Sequence, residues 1–194
     1  MENPRSVPDL VSALKEVLIF LHTRKLDYCL IGGLAMQVRG EPRFTKDIDI
    51  CLLSSLDTTR AQIEELLSVF QPLYPDAFAL ALTFQILPLT IHGVTVDVSL
   101  GLTGFENQAI SRATMEEIVP AVKAKVCSSE DLIVFKILAG RARDQSDVES
   151  ILSSSKNEID DDYVVATLKG FEVELDNSML VSAFETIKRN CRAR

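Results

Sequence analysis

Thr45-Lys46-Asp47-Ile48-Asp49-Ile50-Cys51-Leu52 is an apolar run interrupted by two aspartates one residue apart. Side chains on a strand alternate between faces, so an Asp-x-Asp on a strand carries both carboxylates on one side, about 6 to 7 Å apart along the backbone. Ile48, Ile50 and Leu52 then point the other way and anchor the strand to a core. Two carboxylates held this close repel each other strongly unless a cation lies between them. The stretch reads as a rigid mount for a hard metal ion.

Working outward, thirteen residues separate Asp47 from Gly33, the second glycine of a Gly32-Gly33 pair that closes the short apolar strand Tyr28 to Ile31. Downstream, Val94 to Leu100 alternates Val94, Val96 and Val98 with Thr95, Asp97 and Ser99. Asp97 therefore sits on the polar face of an otherwise apolar strand, where a third metal ligand is expected. Three aspartates on adjoining strands suit an octahedral cation such as Mg²⁺, with Mn²⁺ able to substitute, bound through carboxylates and substrate phosphate oxygens. Such ions activate an attacking hydroxyl and stabilise a leaving pyrophosphate, so the implied reaction is nucleotidyl transfer from an NTP. The glycine pair lets backbone approach the triphosphate at a helix start. Arg43 or Lys46 can neutralise phosphate charge.

Elsewhere the pattern predicts an amphipathic helix over 9–24, a helix from Leu34 to Val38 that stops near Gly40, and a strand over Lys46 to Leu53. A helix over 59–70 follows, then strands over Ala81 to Leu87 and Val94 to Leu100 joined across Pro88 to Gly93. A short helix near Glu106 to Ser111 and strands near 115–119 and 122–126 complete a first lobe. Ser128-Ser129-Glu130-Asp131 is a capping box that launches a helix containing Lys136 and ending at Gly140. Asp144 is placed as the cap of the next helix, and two more helices near 161–170 and 177–191 finish the chain. The fold class expected is mixed α/β (α+β): a catalytic lobe over 1–126, a mixed sheet flanked by helices, and a helical part over 127–194.

These motifs resemble the minimal nucleotidyltransferases of the DNA polymerase beta superfamily, whose signature is Gly-Gly or Gly-Ser, roughly ten residues, then Asp-x-Asp. The segment Ser129 to Asp144, with Asp147, looks more narrowly like the AbiEii-type toxin nucleotidyltransferases. The resemblance covers about residues 26 to 150. It implies that Asp47, Asp49 and Asp97 bind metal, and that Lys136 with Asp144 or Asp147 contacts the nucleotide. It further implies Mg²⁺ dependence, an NTP substrate, and an RNA end or a protein hydroxyl as acceptor, with an antitoxin as a partner; transfer to a small molecule, as in aminoglycoside-modifying enzymes, is a third option that the acidic surface favours over extended RNA. The competing class is a protein that keeps the fold and pocket but acts by binding, as a catalytically silent, antitoxin-like partner.

Each motif has a plainer reading when isolated. An Asp-x-Asp can be a solvated strand end, Gly-Gly a turn, and Lys136 a helix-face lysine with an exposed ammonium. Arg141, Arg143 and the basic run Lys188 to Arg194 can offset helix-end carbonyls. Only their joint occurrence favours chemistry. A net charge of -8 argues against a surface that wraps extended nucleic acid, since such binding is driven by Lys and Arg displacing counterions. Four widely spaced cysteines with only His22 and His92 make a zinc site or a thiol hydrolase improbable, and Cys29 and Cys51 read as buried reduced thiols. No apolar run reaches the ~20 residues of a membrane span, and Met1 to Arg5 lacks a secretory pattern, so a cytoplasmic location without a membrane partner is expected.

Overall fold

The computed structural model describes residues 9–102, 104–154 and 158–192. The segment Met1 to Arg5, read above for a leader, lies outside the described residues. The elements in chain order are α1 (Leu10–Thr23), β1 (Tyr28–Ile31), α2 (Gly32–Arg39), β2 (Asp47–Leu53), α3 (Thr59–Val69), β3 (Gln71–Pro72), α4 (Ala77–Phe84), β4 (Ile86–Ile91) and β5 (Val94–Gly101). They continue with α5 (Gly104–Arg112), β6 (Thr114–Val119), β7 (Val122–Val126), α6 (Ser129–Ala139), α7 (Ala142–Ser153), α8 (Asp161–Glu174) and α9 (Leu180–Arg192). The expected mixed α/β class is the one observed. The chain divides into two compact units, Met1–Leu34 with Phe44–Val126, and Ala35–Arg43 with Cys127–Arg194.

The first unit holds one seven-stranded sheet in the order β3-β4-β5-β2-β1-β7-β6. β2 lies between β5, its parallel neighbour, and β1, its antiparallel neighbour. Its Ile48, Ile50 and Leu52 are fully buried on one face, as the alternation requires. Leu14, Val17 and Leu21 of α1 are buried at helical spacing, and the Asp9 carboxylate caps this helix by accepting the Ser12 N–H. Cys29 and Cys51 face each other across the β1–β2 ladder, buried and unoxidised. The hydrogen bond between them, together with burial, pushes the Cys51 thiol far up.

One stretch departs from the sequence pattern. Ala77–Phe84 is helical, whereas part of it is expected as a strand, and the strand begins only at Ile86. Its Ala and Leu content favours helix, and Ala77 and Ala81 are buried one turn apart. The connection to β5 shrinks to His92-Gly93, both at positive φ, which suits the twist of a two-residue hairpin. Pro88 thus lies inside β4. Its carbonyl accepts the Leu73 N–H, so its nitrogen faces the same edge, where β3 is only two residues long, and no ladder bond to β5 is lost.

The second unit packs α6, α7, α8 and α9, with Ile133, Val148, Leu168 and Phe184 among the buried apolar side chains. Ser128 caps α6 by accepting the Asp131 N–H, as its box predicts. The fully buried Asp131 carboxylate also receives the Tyr163 hydroxyl. Asp144 is not the cap of α7. It sits in the first turn behind Arg141, whose backbone N–H it accepts at 3.1 Å, because Lys136 and Arg141 draw its carboxylate inward. Among the described residues no helix is long and apolar enough to cross a membrane.

Candidate active site

β2 and β5 run parallel with Asp47 opposite Thr95 and Asp49 opposite Asp97. Residues paired in register on neighbouring strands share a face, so Asp47, Asp49 and Asp97 all rise from one side of the sheet. Asp47 is exposed at the strand's first position, while Asp49 and Asp97 are half-buried. Burial raises the Asp97 carboxyl above its usual range, and the charges of Asp49 and Asp47 raise it further. Three acidic groups thus feel one another across two strands.

The glycine pair has a local reason that its sequence reading does not contain. Gly32 opens α2 at φ +60, and a Cβ there would fall inside the Asp49 carboxyl; a Cβ on Gly33 would collide with the Thr45 side chain. Removing both Cβ atoms lets two functional side chains approach the start of a helix. The Gly33 N–H donates to Asp49 Oδ2 at 3.3 Å, so the amide expected to face phosphate is directed here at a carboxylate, at the positive end of α2. Thr45, 7% exposed, donates from Oγ1 to Asp47 Oδ1 at 2.7 Å, and the Lys46 N–H reaches the same oxygen at 3.2 Å. Thr45 was missed by the motif reading; the signal available was its Thr-x-Asp spacing.

Carboxylate oxygens are the donors a hard cation takes. Among the described residues, however, no group of three His, Cys, Asp or Glu side chains is drawn together closely enough to hold an ion as it stands. In donor type and in shared face the three carboxylates fit a hard cation.

In the second unit, Lys136 is 4% exposed and donates to Asp144 Oδ1 at 3.0 Å and Asp147 Oδ2 at 2.6 Å. The exposed-ammonium reading of Lys136 is therefore replaced by a buried ion-pair network. Arg43 forks onto Asp147 through Nε at 3.0 Å and Nη2 at 3.1 Å, and Arg141 Nε donates to Asp144 at 2.7 Å. Burial pushes the Asp144 carboxyl up, but the bonds from Arg141 and Lys136 outweigh it, and the net shift is downward. Asp144 and Asp147 stand one turn apart on α7, so one lysine engages both. Sequence spacing left them as alternatives; the helix makes them a pair. Lys46 remains exposed beside Asp47.

A family model described as "Nucleotidyltransferase of unknown function (DUF6036)" matches residues 8–192. The chain belongs to this family. As a DUF6036 nucleotidyltransferase it carries the general assignment of nucleotidyl transfer; AbiEii-type specificity is not part of the match. No curated protein matches the chain. By structure it is similar to lincosamide antibiotic adenylyltransferase LnuA, lincomycin-bound, at 16% identity over 75% of this chain and 98% of that one, with a TM-score of 0.50. An antigenic nucleotidyltransferase-like protein from Paracoccidioides brasiliensis aligns at 17% identity over 91% and 95% of the two chains, with a TM-score of 0.47. The antibiotic-resistance factor ANT(2'')-Ia aligns at 16% identity over 95% and 97%, also at 0.47. The LnuA likeness is one of fold.

Proposed function

We propose that this DUF6036 chain is a metal-dependent nucleotidyltransferase that moves an NMP from an NTP to a hydroxyl acceptor, with Asp47, Asp49 and Asp97 as its metal-holding and catalytic carboxylates. The observation that carries the reading is the parallel register of Asp49 with Asp97 beside Asp47, on the face next to the glycine bend. Asp47, Asp49 and Asp97 would hold Mg²⁺ or Mn²⁺, which would supply Lewis-acid polarisation of the phosphate oxygens when bound. The acceptor oxygen forms its bond to the α-phosphorus as the bond from that phosphorus to the bridging oxygen breaks. Pyrophosphate leaves with the electron pair. Asp97, opposite Asp49 in register, is the carboxylate assigned to take the hydroxyl proton.

Thr45 and the Gly33 N–H fix the two β2 carboxylates in orientation. Lys46 offers positive charge to the polyphosphate, and Gly32 and Gly33 let the backbone approach it in this reading. The acceptor classes are an RNA end or a protein hydroxyl, as in a toxin-type enzyme with its antitoxin, or a small molecule. A net charge of -8 speaks against extended RNA.

The test is incubation with each α-labelled NTP and Mg²⁺ in the presence of total tRNA, cell protein or a small-molecule extract, with Asp49→Asn alongside. Label is expected on one acceptor class and absent with the variant. Transfer that persists in Asp49→Asn sinks the assignment. NTP binding without transfer to any acceptor reassigns the chain to a catalytically silent partner.

A further inference from the structure

Ser99 lies two residues beyond Asp97 on the same face of β5, about 6 to 7 Å further along the strand. It is half-buried, and among the described residues its hydroxyl bonds no protein group. Its register partner on β4 is Ile86, apolar and 44% exposed. We infer that Ser99 and Ile86 form the acceptor-binding surface, and that the acceptor is a small neutral cyclic polyol, one hydroxyl attacking beside Asp97 while another bonds Ser99. The inference rests on the reading of Asp47, Asp49 and Asp97 given above and names the substrate class of that site.

Position along the strands is the first argument. The glycine bend follows Ile31, which is opposite Asp49, and Thr45 and Lys46 immediately precede β2. Bend, threonine and lysine therefore lie at the amino-terminal end of β2 and of its parallel neighbour β5. The polyphosphate belongs to that end. In an in-line displacement the attacking oxygen and the leaving pyrophosphate occupy opposite sides of the phosphorus, so the acceptor reaches Asp97 from the carboxyl-terminal side. On β1 and β2 the next positions of this face on that side, Cys29 and Cys51, are fully buried and admit no ligand. Ser99, opposite Cys51, and Ile86 beyond it are accessible.

Size and charge are the second argument. Gly101 continues this face of β5, and a Cβ there would collide with Glu106, so α5 closes the surface about 13 Å beyond Asp97. A single ring with its hydroxyls fits within that interval, whereas a chain extended along the strands runs into α5. Asp97 is the one charged side chain that β4 and β5 place on this face. A phosphate chain meets no cation there, and a polyamine meets no carboxylate beyond those given to the metal. The surface offers a hydroxyl that both donates and accepts, beside an apolar side chain, which suits the edge and the face of a sugar-like ring. The transfer is that of the proposed reaction: the acceptor hydroxyl oxygen bonds the α-phosphorus, its proton passes to Asp97, and pyrophosphate departs with the electron pair.

The experiment uses the full chain and each α-labelled NTP with Mg²⁺. The acceptors are myo-inositol and methyl α-glucopyranoside as neutral cyclic polyols, and a short oligoadenylate as an anionic one. Label is expected on a polyol. Ser99→Ala is expected to raise the KM of that polyol roughly fivefold or more. Ile86→Thr, which keeps a β-branched residue at an exposed position, is expected to raise it as well. Affinity for a non-hydrolysable NTP with Mn²⁺, read by calorimetry, should stay within about twofold in both. Label on the oligoadenylate alone, no label on either polyol, or an unchanged polyol KM in both variants overturns the inference. A parallel loss of NTP affinity also overturns it, because Ser99 then belongs to the nucleotide. Asp97→Asn separates failure of the underlying reading. If Mn²⁺–NTP affinity is unchanged in that variant, the carboxylate site itself is wrong; if affinity falls while the polyols stay unlabelled, only the acceptor class is.

Discussion

Thr45 carries more of the candidate site than its place outside the Asp-x-Asp motif suggests. Its hydroxyl bonds Asp47 and its side chain occupies the space that Gly33 leaves. A hydrogen bond to a charged group is worth about 1.5–3 kcal/mol, so Thr45→Val is expected to cut transfer roughly tenfold or more while Thr45→Ser restores most of it, as initial rates would show. Gly32→Ala must accept a left-handed backbone costing roughly 1–2 kcal/mol and displace the Asp49 carboxyl as well. Loss of divalent-ion binding is expected, measured by Mn²⁺ titration. Asp97 gives a pH signature. Its folded-state carboxyl is raised, so the stability of the metal-free protein that depends on its protonation is full below the unfolded-state value and lost as pH rises through the folded value. Asp97→Asn should therefore raise the unfolding midpoint of the metal-free protein at pH 7 and flatten its pH dependence. Mg²⁺ should stabilise the natural chain more than this variant. The three aspartates were legible in sequence because strand alternation is a property of the backbone. Thr45 was not, because its role depends on which glycine it meets.

At the scale of elements, α6 and α7 are joined by a buried network rather than by apolar packing alone. Lys136 serves two carboxylates, Arg43 one of them and Arg141 the other. Removing one member of a buried ion network costs about 3–5 kcal/mol, since the remaining charges lose a partner without regaining water. Lys136→Met is expected to fall in that range by urea unfolding, well above Arg141→Met, whose side chain is largely exposed. Asp144 is held below the ordinary carboxylate range, so its contribution is present above the unfolded-state value and is lost as pH falls through the folded one. A Lys136→Met chain should show a weaker acid-side loss. The helices themselves were readable from capping and period. The α4–β4 boundary was not, because Ala81 to Leu87 satisfies a short strand pattern, and Pro88 is admissible only where a two-residue edge strand makes no demand on its nitrogen.

Across the whole molecule the four cysteines offer a simple check of burial. Cys29, Cys51 and Cys127 are buried and Cys191 is partly exposed. An aromatic disulfide reagent should titrate one thiol rapidly in the native protein and all four in denaturant; early reaction of the β1–β2 pair would contradict the sheet order. Sequence by itself determined the mixed α/β class, the alternation that puts the aspartates of β2 and of β5 on a polar face, and the Ser128-capped start of α6, because period and capping are set within a few residues. Tertiary structure alone decided that Asp49 lies beside Asp97, that Gly33 exists to admit Thr45, and that Asp144 and Asp147 share one lysine. Those facts come from register and packing between segments far apart in the chain, and no local periodicity encodes them.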